Sequence, residues 1–330
     1  MDTRSLSSAE YDNLRFWIIR QVEGDKPSNY TEPKAYYDTD HIPTVGLGFN
    51  LSVPEVRDAV LEVLGIGAEE TAFRSSVINA IAHDYGTNEA LASALDQLMD
   101  QRATSLPGEQ FSEFELSPSM QKSVLDKIDH IYEGDLDNKI NVPMSVERAA
   151  LFSLDYNAPT TIGAHFIAAI ASDDRAEAWY EIRYQTNPDG ISAKRRMVES
   201  QIFDLHTGQF TQKDALLAFR METHHEQLIQ SYDTAYSTKI AEANADLAAI
   251  GTNTSVSFGT IAPIFETLAP AKAVLVSAYA LGTPIDHVWV APDTQGKNSG
   301  GKAEVAAHTV DRTAAGNDND LIIGGITNDG

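Results

Sequence analysis

Tyr11, Leu14, Ile18 and Val22 recur at steps of three and four residues, with Ser7 and Ser8 before them and Gly24 after. That spacing predicts an amphipathic helix over 8–22, opened by a serine cap and ending at Glu23. DKPSNYTEPK follows with two prolines and reads as a loop. The pattern then changes: YYDTDHIPTVGLGFNL, residues 36–51, reads as a short β-hairpin with a polar turn. Asp38 closes its first strand and Thr44 opens its second. From 53 to about 203 the helical period returns, in PEVRDAVLEVLG, AEETAFRSSVINAIAHDYG, NEALASALDQLMDQRA, SPSMQKSVLDKIDHIYEGDL, SVERAALFSLDYN, TIGAHFIAAIAS, DDRAEAWYEIRYQ and AKRRMVESQIFDL. Several of these open on Pro, Ser, Asn, Thr or Asp and several close on Gly or Asn, as helix ends prefer. The fold class expected is α+β, a mostly helical domain over 1–205 with one small β-hairpin lobe.

Residues 211–250 predict one or two further helices with a narrower apolar stripe. Beyond Gly251 the chain turns to Gly, Thr, Ser and Ala, with an apolar patch at IAPIFETLAPAKAVLVSAYALG and a strand-like HVWVA. PDTQGKNSGGKAE reads as a flexible linker, so 206–310 forms a helical and linker region. Over the last residues a nine-residue period sets Gly316 against Gly325, Asn319 against Asn328 and Asp320 against Asp329. These residues resemble the start of an RTX-type calcium-binding array over 311–330. In that nonapeptide, turn Asp residues and carbonyls ligate the ion and an apolar residue, here Ile322, fills the coil. The resemblance implies Ca2+ at Asn319, Asp320 and Asp329. Ala315, Asp318 and Thr327 stand where the consensus has glycine.

Composition narrows the partners. The 330 residues carry 48 acids against 24 bases, a formal charge of −24, and 42% apolar residues. Such a chain can bury a sizeable core. Phosphate binding runs on Lys and Arg, so a nucleic-acid partner is not expected. There is no cysteine, which excludes disulfide and thiolate chemistry without fixing a compartment. No apolar run reaches the roughly 18 to 20 residues of a membrane span, and Asn13, Arg15, Arg20 and Gln21 interrupt any signal-type segment at the start.

Glycoside hydrolysis needs one protonated carboxylic acid beside the leaving oxygen and one polar group that activates water on the other face of the sugar. Glu23 suits the first task. It ends a helix, where unsatisfied carbonyls favour the protonated acid, and Phe16, Trp17 and Ile19 add apolar surface. The turn TDHIP brings the Asp38 carboxylate and the Thr44 hydroxyl together, able to hold one water, while Gly46 and Gly48 let a substrate approach the second strand.

These residues, VEG followed by AYYDTDHIPTVGLGFNL, resemble the opening of the phage-type lysozymes, including the pesticin-like branch, whose Glu-Gly, Asp-Thr and Thr-x-G-x-G motifs occur in this order. The resemblance continues through SVERAALFSLDYNAPTTIGAHFIAAIASDDRAEAWYEIRYQTN and GISAKRRMVESQIF, covering roughly 10–205. It implies inverting hydrolysis of the β-1,4 bond between N-acetylmuramic acid and N-acetylglucosamine in peptidoglycan, with no catalytic cofactor. In those terms Glu23 is the general acid, Asp38 positions or activates the water and Thr44 holds it. Asn157 matches a polar cleft residue, and Arg195 or Arg196 an arginine that pairs with the catalytic Glu. Three features depart from the family: a longer loop between Glu23 and Asp38, Phe49 where many members have His, and Asn50 where pesticin relatives have Asp. The last leaves either Asp38 or the Asn50 position as the second catalytic site. The stretch from 53 to 110 exceeds the family's needs.

Blander readings stand beside these. Asp40 is turn chemistry, and Arg195 and Arg196 could form an exposed helix face. Trp17, Trp179 and Trp289 read as core, while Tyr36 or Tyr37 could line a sugar subsite. His224 and His225 lack the i, i+4 spacing of a zinc pair. RTX-type repeats imply secretion by a signal-peptide-independent, type I-like route, with calcium folding the array outside the cell. A cytoplasmic phage-type endolysin is the alternative address. The alternative function is a catalytically weak glycan-binding or structural module of a larger secreted protein. The acidity sets this chain apart from basic muramidases, and high salt would screen its repulsion from an anionic wall, the Debye length being about 3 Å at 1 M.

Overall fold

The computed structural model describes residues 1–23, 32–105, 111–187, 190–279, 287–290 and 320–323. Among them the chain is mostly helical with one small antiparallel sheet, an α+β arrangement. It divides into two compact units. An N-terminal unit comprises 6–141 and 249–256, and a C-terminal unit comprises 1–5, 142–248 and 257–330.

In the N-terminal unit, helix α1 (Ser8–Val22) opens on Ser7, whose side chain accepts from the Glu10 amide while the Glu10 carboxylate accepts from the Ser7 amide. Each group satisfies an otherwise orphaned donor at the helix start. The helix ends at its C-cap, Glu23. Strands β1 (Glu32–Tyr37), β2 (Pro43–Gly46) and β3 (Phe49–Asn50) follow, paired in that order. The expected two-stranded hairpin is therefore a three-stranded meander. Gly46 and Gly48 take positive φ, 63° and 88°, and these bends return the chain so that Val45 pairs with Phe49 and Thr44 with Asn50. A Cβ on Gly46 would also stand 3.2 Å from Gln121 Cγ.

Helices α2 (Pro54–Val63), α3 (Thr71–Ala82), α4 (Asn88–Ser105) and α5 (Pro118–Lys139) complete this unit. Pro54 and Pro118 sit in the first turns of α2 and α5, where a missing N–H costs nothing. Leu14 and Ile18 of α1, Val45, Val60, Leu95, Val124 and Ile128 are fully buried and form its core. Arg15 is buried too, held by Asp129 and Glu133 of α5.

The C-terminal unit begins with α6 (Val146–Asn157), capped by Ser145, and continues through α7 (Ala164–Ala171) and α8 (Arg175–Tyr180). The sequence predicts one helix over 173–185, but α8 gives way to a π turn at Glu181–Gln185. That turn directs Ile182, Arg183 and Tyr184 inward, with the Arg183 guanidinium 5.1 Å from the Trp179 ring centre. Helix α9 (Ala193–Phe203) packs against α6. Next come α10 (Gln212–Ala235), α11 (Lys239–Asn253), α12 (Ile264–Thr267) and α13 (Ala269–Ala278). Helix α10 packs on α8, so 206–248 belong with 142–205 and no division falls at residue 205. Strand β4 (His287–Val290) pairs in parallel with β5 (Asp320–Ile323). Residues 1–5 are tied in by Arg4, whose Nε lies 2.9 Å from the buried Glu147, which also meets Arg175 at 2.8 Å. No described helix is long and apolar enough to cross a membrane.

Candidate functional site

Glu23 stands where the sequence reading puts it. As the C-cap of α1 it keeps a near-helical backbone, φ −78° and ψ −17°, and its amide donates to the Ile19 carbonyl at 3.0 Å. Its carboxylate faces the β2–β3 turn: a Cβ added to Gly48 would lie 3.8 Å from Glu23 Oε2. The meander's second turn is thus bare backbone against the acid. Gly48 carries φ 88°, a conformation that costs an L side chain on the order of 1–2 kcal/mol. Gly48→Ala is expected to lower stability by about that amount, with Gly48→Asn less affected because Asn tolerates left-handed backbone. Chemical denaturation measures the difference, and an alanine variant as stable as the wild type would mean that this turn is not held as described.

Asp38 and Thr44 both bond to the backbone of Ile42. The Asp38 amide donates to the Ile42 carbonyl at 3.0 Å, and Asp38 Oδ1 accepts from the amides of Ile42 at 2.8 Å and Asp40 at 2.9 Å. The Thr44 hydroxyl donates to the same Ile42 carbonyl at 2.9 Å. Carboxylate and hydroxyl therefore share Ile42 as a backbone partner. Asp38 Oδ2 makes no hydrogen bond among the described residues. Thr44 is only 2% exposed, so any water it holds must come from one side.

Asn50 caps its own turn, its Oδ1 accepting from the amide of Ser52 at 2.8 Å and from its hydroxyl. Tyr37 is anchored at both ends: its amide donates to Asn88 Oδ1 at 2.8 Å, and its hydroxyl donates to the His83 carbonyl at 3.1 Å. Glu23, Tyr37, Asp38, Thr44 and Asn50 all belong to the N-terminal unit.

Asn157, Arg195 and Arg196 belong to the C-terminal unit and meet around a residue the sequence reading passes over. Glu199 is wholly buried. Arg195 Nε lies 2.8 Å from Glu199 Oε1, Arg196 Nη1 bonds Oε2, and the Ser153 hydroxyl donates to Oε1 at 2.6 Å. Burial alone would push this carboxyl up, but Arg196 and Arg195, with the Ser153 hydrogen bond, hold it below the usual carboxylate range. Arg196 Nη2 also donates to Asn157 Oδ1 at 2.8 Å and so fixes that exposed amide. Both arginines are buried, at 5% and 2% exposure, which overturns the exposed-face alternative. Glu199 follows Arg195 by four residues and Arg196 by three, a spacing that puts all three within reach of one another on a helix. That was the available signal.

A second unforeseen group lies in the C-terminal unit, where Phe219, Glu222, Glu226, Phe265 and Trp289 help line a cavity of about 530 Å³. Burial, aided by the neighbouring Glu226, pushes the Glu222 carboxyl up to about 7. Because the folded protein holds this proton more tightly than the unfolded chain, Glu222 stabilises the fold at low pH and loses that contribution between about pH 4.5 and 7. Glu222→Gln is therefore expected to be neutral at pH 4 and to stabilise by ~2 kcal/mol at pH 8, after allowance for solvent screening. Denaturant titrations at the two pH values test this, and an equal effect at both would refute it.

Of the calcium residues, Asn319 and Asp329 lie outside the described residues, and Asp320 begins β5, paired with His287. Among the described residues no three His, Cys, Asp or Glu side chains gather as a metal would require. His225 Nε2 pairs with Glu177 at 2.9 Å and its ring stacks on Tyr180.

No protein-family model, no curated protein and no solved structure matches the chain.

Proposed function

We propose that the chain is a peptidoglycan hydrolase that cleaves the β-1,4 bond between N-acetylmuramic acid and N-acetylglucosamine with inversion. Glu23 gives its proton to the glycosidic oxygen as the bond to the muramyl C1 breaks. A water oriented by Asp38 and Thr44 attacks C1 from the opposite face and yields its proton to Asp38. The observation that carries this reading is the placement of the Glu23 carboxylate against the side-chain-free turn at Gly48, in the same unit as the Asp38–Ile42–Thr44 turn.

The reading extends to a secreted protein exported by a type I-like route, with Ca2+ bound by the 311–330 segment through Asn319, Asp320 and Asp329. The hydrolytic step itself is drawn through Glu23, Asp38 and Thr44.

Digestion of purified peptidoglycan tests the proposal, with reduction of one portion to identify the new ends and immediate proton NMR of an unreduced portion to read the configuration of the first product. Muramyl reducing ends released in the α-configuration are expected. Glucosaminyl ends, or first-formed β-product, would sink it. The near-complete burial of Thr44, with its hydroxyl given to Ile42, favours a second reading: a glycan-binding module that sediments with peptidoglycan and releases no muropeptides.

A further inference from the structure

Arg57 stands out in a chain of net charge −24. Arg15, Arg74, Arg102, Arg175, Arg195 and Arg196 each meet at least one carboxylate. Arg57, in the first turns of α2, forms no ion pair among the described residues, and its buried Nε has no hydrogen-bond partner. Arg20 shares that feature, but its guanidinium lies over the Trp17 ring at 5.4 Å. A guanidinium held without a counter-charge in a folded protein is poised for a ligand that brings one, and its planar fork matches a carboxylate in two-point contact.

Arg57 lines a cavity of about 290 Å³ between the β1–β2 turn and the C-terminal end of α3. One wall is flat. The Tyr37 and His41 rings stack with centroids 4.1 Å apart and planes 12° from parallel. His41 reaches that position with φ 62°, a left-handed backbone that non-glycine residues adopt only where their surroundings hold them.

Several other polar groups of the cavity are already committed, although the His83 ring meets Tyr85 only edge-on. Asp84 accepts from the Gly86 amide and pairs with His41 Nε2 at 2.9 Å. The His41 bond, with the Gly86 amide, holds the Asp84 carboxyl below its usual range. The Tyr37 hydroxyl takes the His83 carbonyl at the end of α3 and accepts from the Tyr85 amide at 3.0 Å. Ser52 gives its hydroxyl to Asn50. Ile78, Ile81 and Ala82 make the floor apolar. Arg57 is the cavity's arginine, and its charge is met by no carboxylate among the described residues.

We propose that this cavity binds a carboxylate carried on a six-membered ring, the carboxylate against Arg57 and the ring face against the Tyr37–His41 stack. The inference does not depend on Glu23 being catalytic, since it rests on a different set of side chains. The size suits a single substituted ring, and the ring could belong to a uronic-acid sugar or to an aromatic acid.

The test is an NMR titration of the full chain with glucuronate, glucose, benzoate and benzyl alcohol, following the backbone amides of 37–42 and 83–86 and the Nε–H signal of Arg57. Saturable millimolar binding of glucuronate, at least tenfold tighter than glucose, identifies the sugar acid. Benzoate at least tenfold tighter than benzyl alcohol identifies the aromatic acid, and both together mean that the carboxylate governs. Arg57→Gln is expected to weaken binding at least tenfold. Arg57→Lys, which keeps the charge and loses the fork, should fall between and serves if the glutamine variant unfolds. Equal binding of acid and neutral partner, binding unchanged in both Arg57 variants, or no saturation by either acid at 50 mM (roughly the upper bound for a specific site) would overturn the proposal.

Discussion

Glu23→Gln is expected to reduce muropeptide release from purified peptidoglycan on the order of 10²–10⁴-fold while leaving the fold intact. Glutamine keeps the size and most hydrogen bonding of the side chain, and the C-cap contact to Ile19 is made by the backbone. What is lost is the proton that the leaving oxygen needs. Asp38 calls for a subtler comparison, because its Oδ1 organises the turn through two amides. Asp38→Asn preserves a carbonyl oxygen for those amides and removes only the charge, whereas Asp38→Ala removes both. If Asp38 serves the water, the asparagine variant loses activity at unchanged melting temperature. If Asp38 serves only the turn, asparagine is harmless and alanine costs stability. Wild-type activity in Glu23→Gln would end the catalytic assignment whatever Asp38 does.

The second large effect concerns stability. Glu199→Gln removes the carboxylate that Arg195 and Arg196 share at the centre of the α6–α9 packing. Breaking a buried pair by deleting one partner typically costs about 3–5 kcal/mol, since the remaining charge is left in a poorly solvating interior. For a chain of 330 residues that corresponds to a fall in melting temperature of roughly 4–7 °C, readable by calorimetry. The linkage has a definite sign. The folded-state carboxyl lies below the ordinary glutamate range, so its contribution is complete above about pH 5 and is lost as the pH falls through the folded value. The variant should therefore approach wild-type behaviour in strong acid. A loss below about 1 kcal/mol at pH 7 would show that the network contributes little beyond its desolvation cost.

The helices were legible because cap residues and apolar spacing agree: SVERAALFSLDYN predicts 145–157, and the helix runs Val146–Asn157. The third strand was not. Phe49–Asn50 is two residues long, too short for any alternation to register, and only the positive φ at Gly46 and Gly48 reveals the second turn. The π turn at Glu181–Gln185 was hidden for a related reason, since one wider turn leaves the surrounding helical spacing intact. The ends of the candidate site were legible as residue types, Glu23 after an apolar helix and Asp38 in a polar turn. Its electrostatic surroundings were not. A sequence shows that Arg195, Arg196 and Glu199 share a helix but not that the helix is buried on the side where they meet. Arg57 escaped notice because what distinguishes it is a missing neighbour in space.

The pairing order of the meander bears on how fast the sheet assembles. Each strand pairs with its neighbour in sequence, so the loops to be closed are a handful of residues long and form on microsecond timescales. The β4–β5 pair is the opposite case, joining His287–Val290 to Asp320–Ile323 across residues 291–319. Its ends must find each other through a long connection, with a correspondingly larger entropic cost before any ladder bond forms. In refolding, protection of the β2–β3 amides is therefore expected to precede that of the β4–β5 ladder amides.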